Sequence, residues 1–289
     1  MSLASNERES NCNRFMAGML TRPALLSNLF ILTMMLLNRT FAAIVAVCTL
    51  LSGCLAQDPL PTTYKDPKTG ISFDTWNVPG SSGTGGLTFG MALPSTALED
   101  DATEFIGYLH CAANNATTAR GWCGISLGGS MVDSLLLIAY PDRGRVRTSL
   151  RFTSGYTMPG VYTGNATVTQ ISSAVNATGF SLTFHCRDCL HWSQNGTTGS
   201  ASTSGSMLDF GYAQSIEAPV NPSCPDGIRL ARHDSQGTWT ALLDSAASES
   251  YDKWRALANH TVPTNCTNTR GRNSSVPSPS RLFGNRLFG

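Results

Sequence analysis

One methionine stands out among the residues whose side chains could do chemistry. Met131 lies in GGSMVDSLLLIAY (128–140), between a flexible Gly-Gly-Ser corner and a long apolar run. Methionine is usually a core side chain, but its thioether sulfur can also bind a metal. Beyond residue 56 the chain has four methionines and five histidines, so spacing alone leaves twenty possible Met–His ligand pairs.

A serine motif suggests a second chemistry. GISLG (124–128) matches G-x-S-x-G, the nucleophile elbow of serine hydrolases, with Ser126 as the nucleophile. That elbow requires a strand before the serine and a helix after it. Here a Gly-Gly-Ser corner and an apolar run follow, so the sequence favours a chance match.

The C-x-x-C motif in CRDCLH (186–191) has three possible chemical roles. His191 is one position too late for covalent haem attachment, and the chain offers no second ligand pair for zinc. A thioredoxin-like role would need a βαβ context, which is also missing. A structural Cys186–Cys189 disulfide is therefore the favoured interpretation.

The remaining cysteines indicate an oxidising compartment. Nine cysteines minus the three before residue 57 leave six, an even number. Cys111 and Cys123 flank a loop and are predicted to pair. Cys224 and Cys266 are left by elimination, and their pairing stays open at this point.

The elements that must position these residues are strands. The chain is 41% hydrophobic with 27 glycines and is only 13% charged, which suits a β protein. Strands are predicted for SLLLIAY (134–140), VRTSLRF (146–152), TVTQISSAV (167–175) and FSLTFHC (180–186). The first of these runs is apolar throughout, as in a strand buried on both faces. Helix is expected only in short pieces, near 100–110 and 247–259.

The N-terminal region predicts export. Residues 41–56 form an apolar run shorter than the roughly 20 residues that span a bilayer, which favours a cleaved signal peptide. The alternative is a signal anchor over 24–56. The predicted divisions are a gene-model extension (1–33), a signal peptide (34–56), one domain (57–260) and a Pro/Ser/Asn-rich linker or disordered tail (261–289).

Sequons and charge narrow the class further. Seven Asn-x-Ser/Thr sequons follow the signal segment, which suits a secreted eukaryotic glycoprotein. They begin at Asn115, Asn165, Asn176, Asn195, Asn259, Asn265 and Asn273. The net charge of +1 gives no reason to expect nucleic acid or stable membrane association. The glycine-rich stretch GSSGTGG lacks the dinucleotide fingerprint.

Longer blocks of the sequence resemble a known family. In order along the chain these blocks are TYKDPKTGISFDTW (63–76), ATEFIGYL (102–109), GWCGISLGGSMVDSLLLIAY (121–140), RFTSGYTMPGVYTGNATVTQI (151–171) and FHCRDCLHW (184–192). Together they resemble the haem b cytochrome domain of fungal cellobiose dehydrogenase, most closely the ascomycete type. The resemblance covers about residues 60–255.

The resemblance implies a fold and a set of site residues. The family's domain is an all-β, antiparallel, immunoglobulin-like two-sheet β-sandwich with short helices. Its axial haem ligands correspond to Met131, after the Gly-Gly-Ser corner, and to His233, after SCPDGIRL. Tyr140 is expected beside the haem plane. Tyr156 resembles a tyrosine that contacts a haem propionate, and Arg151 is expected nearby.

The resemblance also implies a function. It predicts a secreted haem b protein that relays single electrons from a flavin-dependent sugar dehydrogenase to a copper lytic polysaccharide monooxygenase in cellulose breakdown. The chain is expected to be a monomer and, without a flavin domain, not to oxidise cellobiose itself. The alternative is a haem-less carbohydrate-binding β-sandwich that stacks sugars on exposed tryptophans. The candidates for that stacking are Trp76, Trp122, Trp192 and Trp239.

Overall fold

The computed structural model describes residues 58–115 and 120–266 of the chain. The predicted extension, the signal segment and the tail beyond Cys266 lie outside these residues. The strands are β1 (Thr62–Lys65), β2 (Ser72–Pro79), β3 (Gly86–Pro94), β4 (Phe105–Ala112), β5 (Trp122–Ser126), β6 (Leu136–Asp142), β7 (Arg145–Phe152), β8 (Gly160–Val161), β9 (Thr167–Asn176), β10 (Gly179–Arg187), β11 (His191–Gln194), β12 (Thr197–Ser200), β13 (Met207–Ser215), β14 (Ser235–Leu242) and β15 (Ala247–Ser248). One short α-helix, α1 (Tyr251–Arg255), follows them.

Two larger sheets build the domain. The seven-stranded sheet has the order β1-β2-β3-β4-β10-β9, and β15 adds to β3 as its one parallel pairing within the described residues. The six-stranded sheet has the order β14-β13-β5-β6-β7-β8, and β11 and β12 form a separate hairpin. The predicted antiparallel β-sandwich is confirmed.

Aromatic side chains fill the space between the two sheets. Phe89 of the seven-stranded sheet meets Phe210 of the six-stranded sheet edge to face, with ring centroids 5.1 Å apart. Trp239 lies 5.4 Å from Phe210, and Trp76 lies 6.0 Å from it. Large rings of this kind bury much apolar surface per residue, which stabilises the packing of the two sheets.

The predicted strands are confirmed at β6, β7, β9 and β10, and β6 is buried on both faces from Leu136 to Tyr140. The helix predicted near 100–110 is wrong, because β4 occupies most of that segment. Phe105 and Leu109 face the interior while Ile106 packs on the opposite face. The second predicted helix is present only as α1. No helix among the described residues is long and apolar enough to cross a membrane.

Three disulfides connect parts of the domain. Cys111–Cys123 joins β4 to β5 and so links the two sheets, and Cys186–Cys189 closes the turn after β10. Both predicted pairings are confirmed. Cys224 and Cys266, which the sequence left open, are also paired.

Removing the bond between the sheets should lower stability more than removing the turn bond. The Cys111–Cys123 bond closes a separation of 12 residues and the Cys186–Cys189 bond one of 3. Chain entropy then predicts a loss of roughly 3 kcal/mol for C111S/C123S and roughly 1.5 kcal/mol for C186S/C189S. Guanidinium unfolding of both double variants measures the difference. Equal losses would contradict this assignment of the two bonds.

Candidate functional site

The outer face of the six-stranded sheet, which points away from the seven-stranded sheet, contains the candidate site. Cys123 and Ile125 point into the core, so their neighbours on β5 point outward. The β5–β6 register pairs Cys123 with Ala139, which puts Trp122 opposite Tyr140. Trp122, Ile138 and Tyr140 form an apolar cluster on this face.

The strand register arranges the outer face in three rows, each crossing β13, β5, β6 and β7 in that order. The first row is Ser215, Trp122, Tyr140 and Arg147; the second is Ala213, Gly124, Ile138 and Ser149; the third is Gly211, Ser126, Leu136 and Arg151. The first and third rows are four residues apart along β13, about 13 Å at about 3.3 Å per residue.

The second row is made mostly of small side chains. A methyl group added to Gly124 would lie 2.8 Å from Cδ1 of Ile138 and 3.4 Å from Cζ3 of Trp122. The neighbouring position on β13 is Ala213. The second row therefore forms a shallow depression in the outer face, between the larger side chains of the first and third rows. This depression is called the floor below.

The loop that carries Met131 folds over the third row. Ser126 Oγ donates a hydrogen bond to the carbonyl oxygen of Ser130, 2.5 Å away. A side chain at position 211 would clash with the carbonyl oxygen of Gly129, so the loop can lie against the sheet only because Gly211 is there. These contacts hold Met131, which is half-buried, beside the third row.

The far side of the same loop is fixed by two further hydrogen bonds. The Asp133 amide donates to the carbonyl oxygen of Thr153 at 2.8 Å. The carbonyl oxygen of Asp133 accepts from Nε1 of Trp192 at 3.0 Å. Ser126, the candidate nucleophile of the G-x-S-x-G match, thus uses its hydroxyl to hold the backbone of this loop in place. A loop rather than a helix follows it, so the nucleophile elbow is not formed.

A strap, residues 216–234, crosses the outer face between β13 and β14. The hydroxyl of Tyr140 donates a hydrogen bond to the carbonyl oxygen of Pro222 at 3.0 Å. Ser149 Oγ donates to the carbonyl oxygen of Pro225 at 3.1 Å. Ile228 of the strap is buried in the cluster with Trp122 and Tyr140. The sheet therefore binds the strap through both polar and apolar groups.

The chain after the predicted domain boundary is attached to this strap. Cys266 is bonded to Cys224, and the Asn265 amide donates to the carbonyl oxygen of Ser223 at 2.9 Å. Arg147 Nη1 donates to the carbonyl oxygen of Pro263 at 2.7 Å. Residues 261–266 thus contact the domain, although the sequence assigned them to the tail.

His233 lies at the end of the strap, beside the first row. The Asp234 amide donates to the backbone carbonyl oxygen of Gln214 at 2.9 Å. Ser215 Oγ donates to Asp234 Oδ2, also at 2.9 Å. Partial burial lowers the pKa of His233, and the nearby charge of Arg232 lowers it further. The imidazole is therefore neutral at pH 7 and keeps the nitrogen lone pair that a metal requires.

Arg151 is a buried cation in the third row. Its Nε donates to Ser149 Oγ at 2.7 Å, and its terminal nitrogens donate to the carbonyl oxygens of Pro159 and Pro225. Burial lowers the pKa of Arg151, which the charge of Asp226 partly opposes. None of the ion pairs within the described residues includes Arg151. A buried cation without a carboxylate partner suits an anionic ligand.

The structure brings four of the five predicted site residues to one face. Met131 lies beside the third row and His233 beside the first, on either side of the small second row. Tyr140 is in the first row and Arg151 in the third. Burial raises the pKa of Tyr140 well above its ordinary value, so its hydroxyl stays protonated. Tyr156 differs, because its side chain is 85% exposed. Its contact with a propionate stays a prediction.

The sequence did not identify Gly124 or the strap as parts of the site. Gly124 was considered only as part of the serine motif, whereas its role follows from the register of three strands. The tryptophans proposed for sugar stacking are all buried, at 5% exposure or less. The structure therefore gives the carbohydrate-binding alternative no exposed platform among those residues.

The low floor, the neutral histidine, the methionine loop and the buried arginine form a donor set that fits a haem. A family model for the cytochrome domain of cellobiose dehydrogenase matches residues 64–253. The chain belongs to this family. The prediction that its cofactor is haem b is thereby confirmed, while the roles of the individual site residues stay predictions.

Solved structures and a curated relative agree with this assignment. The cytochrome domain of Myriococcum thermophilum cellobiose dehydrogenase is 53% identical, with a TM-score of 0.68, over 72% of this chain and 100% of that chain. The cytochrome b domain of Coprinopsis cinerea pyranose dehydrogenase is 26% identical, with a TM-score of 0.56, over 70% and 97%. A pyrroloquinoline quinone-dependent pyranose dehydrogenase from Coprinopsis cinerea is 31% identical over 204 residues, 70% of this chain and 26% of the relative.

Filling the floor should block the cofactor. Gly124→Val places methyl groups where Ile138 and Trp122 leave little room. Overpacking costs about 1–3 kcal/mol, so haem affinity should fall about 5- to 150-fold. Soret absorbance during titration with hemin measures this loss. Gly205→Ala is the control, because an added methyl group there meets nothing within 4 Å. Unchanged affinity in Gly124→Val would place the cofactor elsewhere.

Proposed function

We propose that the chain is a secreted haem b electron-transfer protein. It would accept single electrons from a flavin-dependent sugar dehydrogenase and pass them to a copper lytic polysaccharide monooxygenase during cellulose breakdown. The observation that supports this most directly is the placement of Met131 and His233. Met131 lies beside the third row and His233 beside the first, so the two side chains flank a row of small residues and both could bind the haem iron.

Two side chains of the protein that would both bind the iron favour electron transfer over catalysis. Met131 would provide a thioether and His233 a neutral imidazole. The chemistry that haem b supplies when bound is the one-electron reduction and re-oxidation of its iron. With both ligands in place no position is left for oxygen or a sugar. The thioether of Met131 also favours ferrous iron and so raises the reduction potential.

The other residues of the face would orient the cofactor and exclude water. Arg151 offers a buried positive charge to a carboxylate, while its bonds to the strap fix its position. Ile228 covers the apolar cluster from the strap side. Groups that are fixed and shielded from water in this way move little when the iron gains or loses an electron. The reorganisation energy of electron transfer is therefore lower.

The relatives support a sugar dehydrogenase as the electron donor. Their names describe a cellobiose dehydrogenase and a pyranose dehydrogenase. The chain spans about a quarter of the length of the curated relative, so the dehydrogenase would be a separate domain or chain. The flavin type is favoured because identity is higher to the cellobiose dehydrogenase domain. A quinone-dependent sugar dehydrogenase is the second donor candidate.

Secretion is supported by the disulfides and the sequons. Three disulfides suit an oxidising compartment. The sequon asparagines that the structure describes are all exposed, as glycan attachment requires: Asn115, Asn165, Asn176, Asn195, Asn259 and Asn265. N-terminal sequencing of protein secreted by a fungal host should find cleavage near Ala56, and retention inside the cell would contradict export.

Changing the predicted methionine ligand should lower the reduction potential. Met131→His replaces a thioether by an imidazole, which favours ferrous iron less, while the iron stays six-coordinate and low-spin. Spectroelectrochemical titration measures the midpoint potential. Met207→His is the control, because Met207 is 54% exposed at the start of β13. An unchanged potential in Met131→His would exclude Met131 as a ligand.

The complete relay can be tested in two steps. A cellobiose dehydrogenase flavin domain with cellobiose should reduce the haem-loaded chain, whereas cellobiose alone should not. The reduced chain should then give one electron to Cu(II) in a lytic polysaccharide monooxygenase, forming Cu(I) and ferric haem. Stopped-flow absorbance follows both steps, with copper-free monooxygenase as the control. No reoxidation by the copper form would remove this acceptor from the proposal.

A further inference from the structure

The imidazole of His233 is oriented by its own backbone. It is hydrogen-bonded to that backbone and, within the described residues, to no other residue. A metal-binding histidine depends on the partner of its second ring nitrogen, which fixes the orientation of the ring. The direction in which His233 points therefore depends on how the backbone at position 233 is held.

The residues on either side of His233 are both anchored to the end of β13. The Asp234 amide donates to the backbone carbonyl oxygen of Gln214 at 2.9 Å. Ser215 Oγ donates to Asp234 Oδ2 at 2.9 Å, and it lies 3.4 Å from the carbonyl oxygen of Arg232. Ser215 is itself buried, at 2% exposure, so these contacts start from a fixed point of the sheet.

The carboxylate of Asp234 closes the strap at its base. Its Oδ2 accepts a second hydrogen bond, from the amide of Ile216 at 2.9 Å. Ile216 is the first residue of the strap and Asp234 the last, so one oxygen atom holds both ends of residues 216–234 together. Hydrogen bonds to an ionised acceptor are about twice as strong as those between neutral groups.

Nothing else in the described part of the chain uses this carboxylate. None of the ion pairs among the described residues includes Asp234. Asp234 is also exposed, so truncating its side chain opens no cavity in the core. The contribution of this side chain therefore comes from its two hydrogen bonds to the start of the strap and the end of β13.

We propose that Asp234 is a positioning residue for His233. By closing the base of the strap, its carboxylate holds the imidazole where it can bind the haem iron. This inference rests on the proposed haem site and deepens it. Asp234 does not touch the cofactor but acts through the backbone of the neighbouring residue. Without its two hydrogen bonds the end of the strap moves away from the first row more often, and the iron loses its imidazole more often.

Two substitutions separate the hydrogen bonds of Asp234 from its charge. Asp234→Asn keeps an oxygen that can accept from Ser215 and Ile216 but carries no charge, whereas Asp234→Ala keeps neither. In Asp234→Ala the rate at which ferric haem transfers to apomyoglobin should rise about tenfold, because bonds to a charged acceptor are lost. In Asp234→Asn the rise should be about threefold or less. Equal rises in the two variants would contradict the proposal.

The spectrum of the bound haem distinguishes a displaced ligand from a loosened domain. Ferric haem that keeps both ligands is six-coordinate and low-spin, whereas loss of the imidazole leaves a five-coordinate, high-spin fraction that electron paramagnetic resonance detects. We expect this fraction in Asp234→Ala but not in Asp234→Asn. Free imidazole should remove it by supplying the missing ligand. A spectrum of Asp234→Ala as fully low-spin as that of the wild type would overturn this inference.

Asp101→Ala is the matched control. Asp101 is also exposed, and its carboxylate likewise accepts from a serine hydroxyl, that of Ser202, and from a backbone amide, that of Ser204. These bonds lie before β4 and include no residue of the strap. Asp101→Ala should change the haem transfer rate by less than about twofold and leave the haem low-spin. A high-spin fraction equal to that of Asp234→Ala would show general loosening of the domain and would also overturn the proposal.

His233→Ala separates failure of this inference from failure of the proposed function. This variant should hold only high-spin haem or lose its haem altogether. If the wild type binds no haem, or if His233→Ala keeps the wild-type low-spin spectrum, the proposed haem site is wrong and this inference with it. If both behave as proposed while Asp234→Ala matches the wild type, the inference about Asp234 alone is wrong.

Discussion

The site depends on the two-residue pleat of β5 and its neighbours. Cys123 must point inward to reach Cys111 across the sandwich, so Trp122 and Gly124 must point outward. A shift of one residue would exchange these faces and put Ile125 on the floor of the site. The disulfide and the aromatic core thus determine which side chains the outer face presents.

Covering this outer face is the second requirement. A six-stranded sheet buried on one side only would expose Trp122, Ile138 and Tyr140 to water, which is unfavourable for apolar groups. The strap buries part of that surface with Ile228 and satisfies its own carbonyl groups through hydroxyl and guanidinium donors of the sheet. The residues that shape the cofactor site are therefore also residues that fold the domain.

Side-chain hydrogen bonds hold the loops of the two predicted ligands. Ser126 holds the methionine loop and Trp192 fixes its far side, both by donating to backbone carbonyls, while Ser215 fixes the end of the strap near His233 by donating to the carboxylate of Asp234. The bonds to carbonyls set the position of the methionine loop without adding charge to the site. All three bonds leave Met131 and His233 as residues on loops whose positions come from a rigid sheet, an arrangement common in functional sites.

The sequence by itself determined the strands whose alternation or apolar run was strong, such as β6, β7 and β10, and it determined two of the three disulfides. It did not determine β4. The conformation of a central strand depends on packing against its two partner strands as much as on its own residue pattern. Nor could spacing select Met131 and His233 among twenty pairs; the resemblance to a family did that. Only the tertiary structure placed them across a row of small residues, because the strand register joins positions that are far apart in the chain.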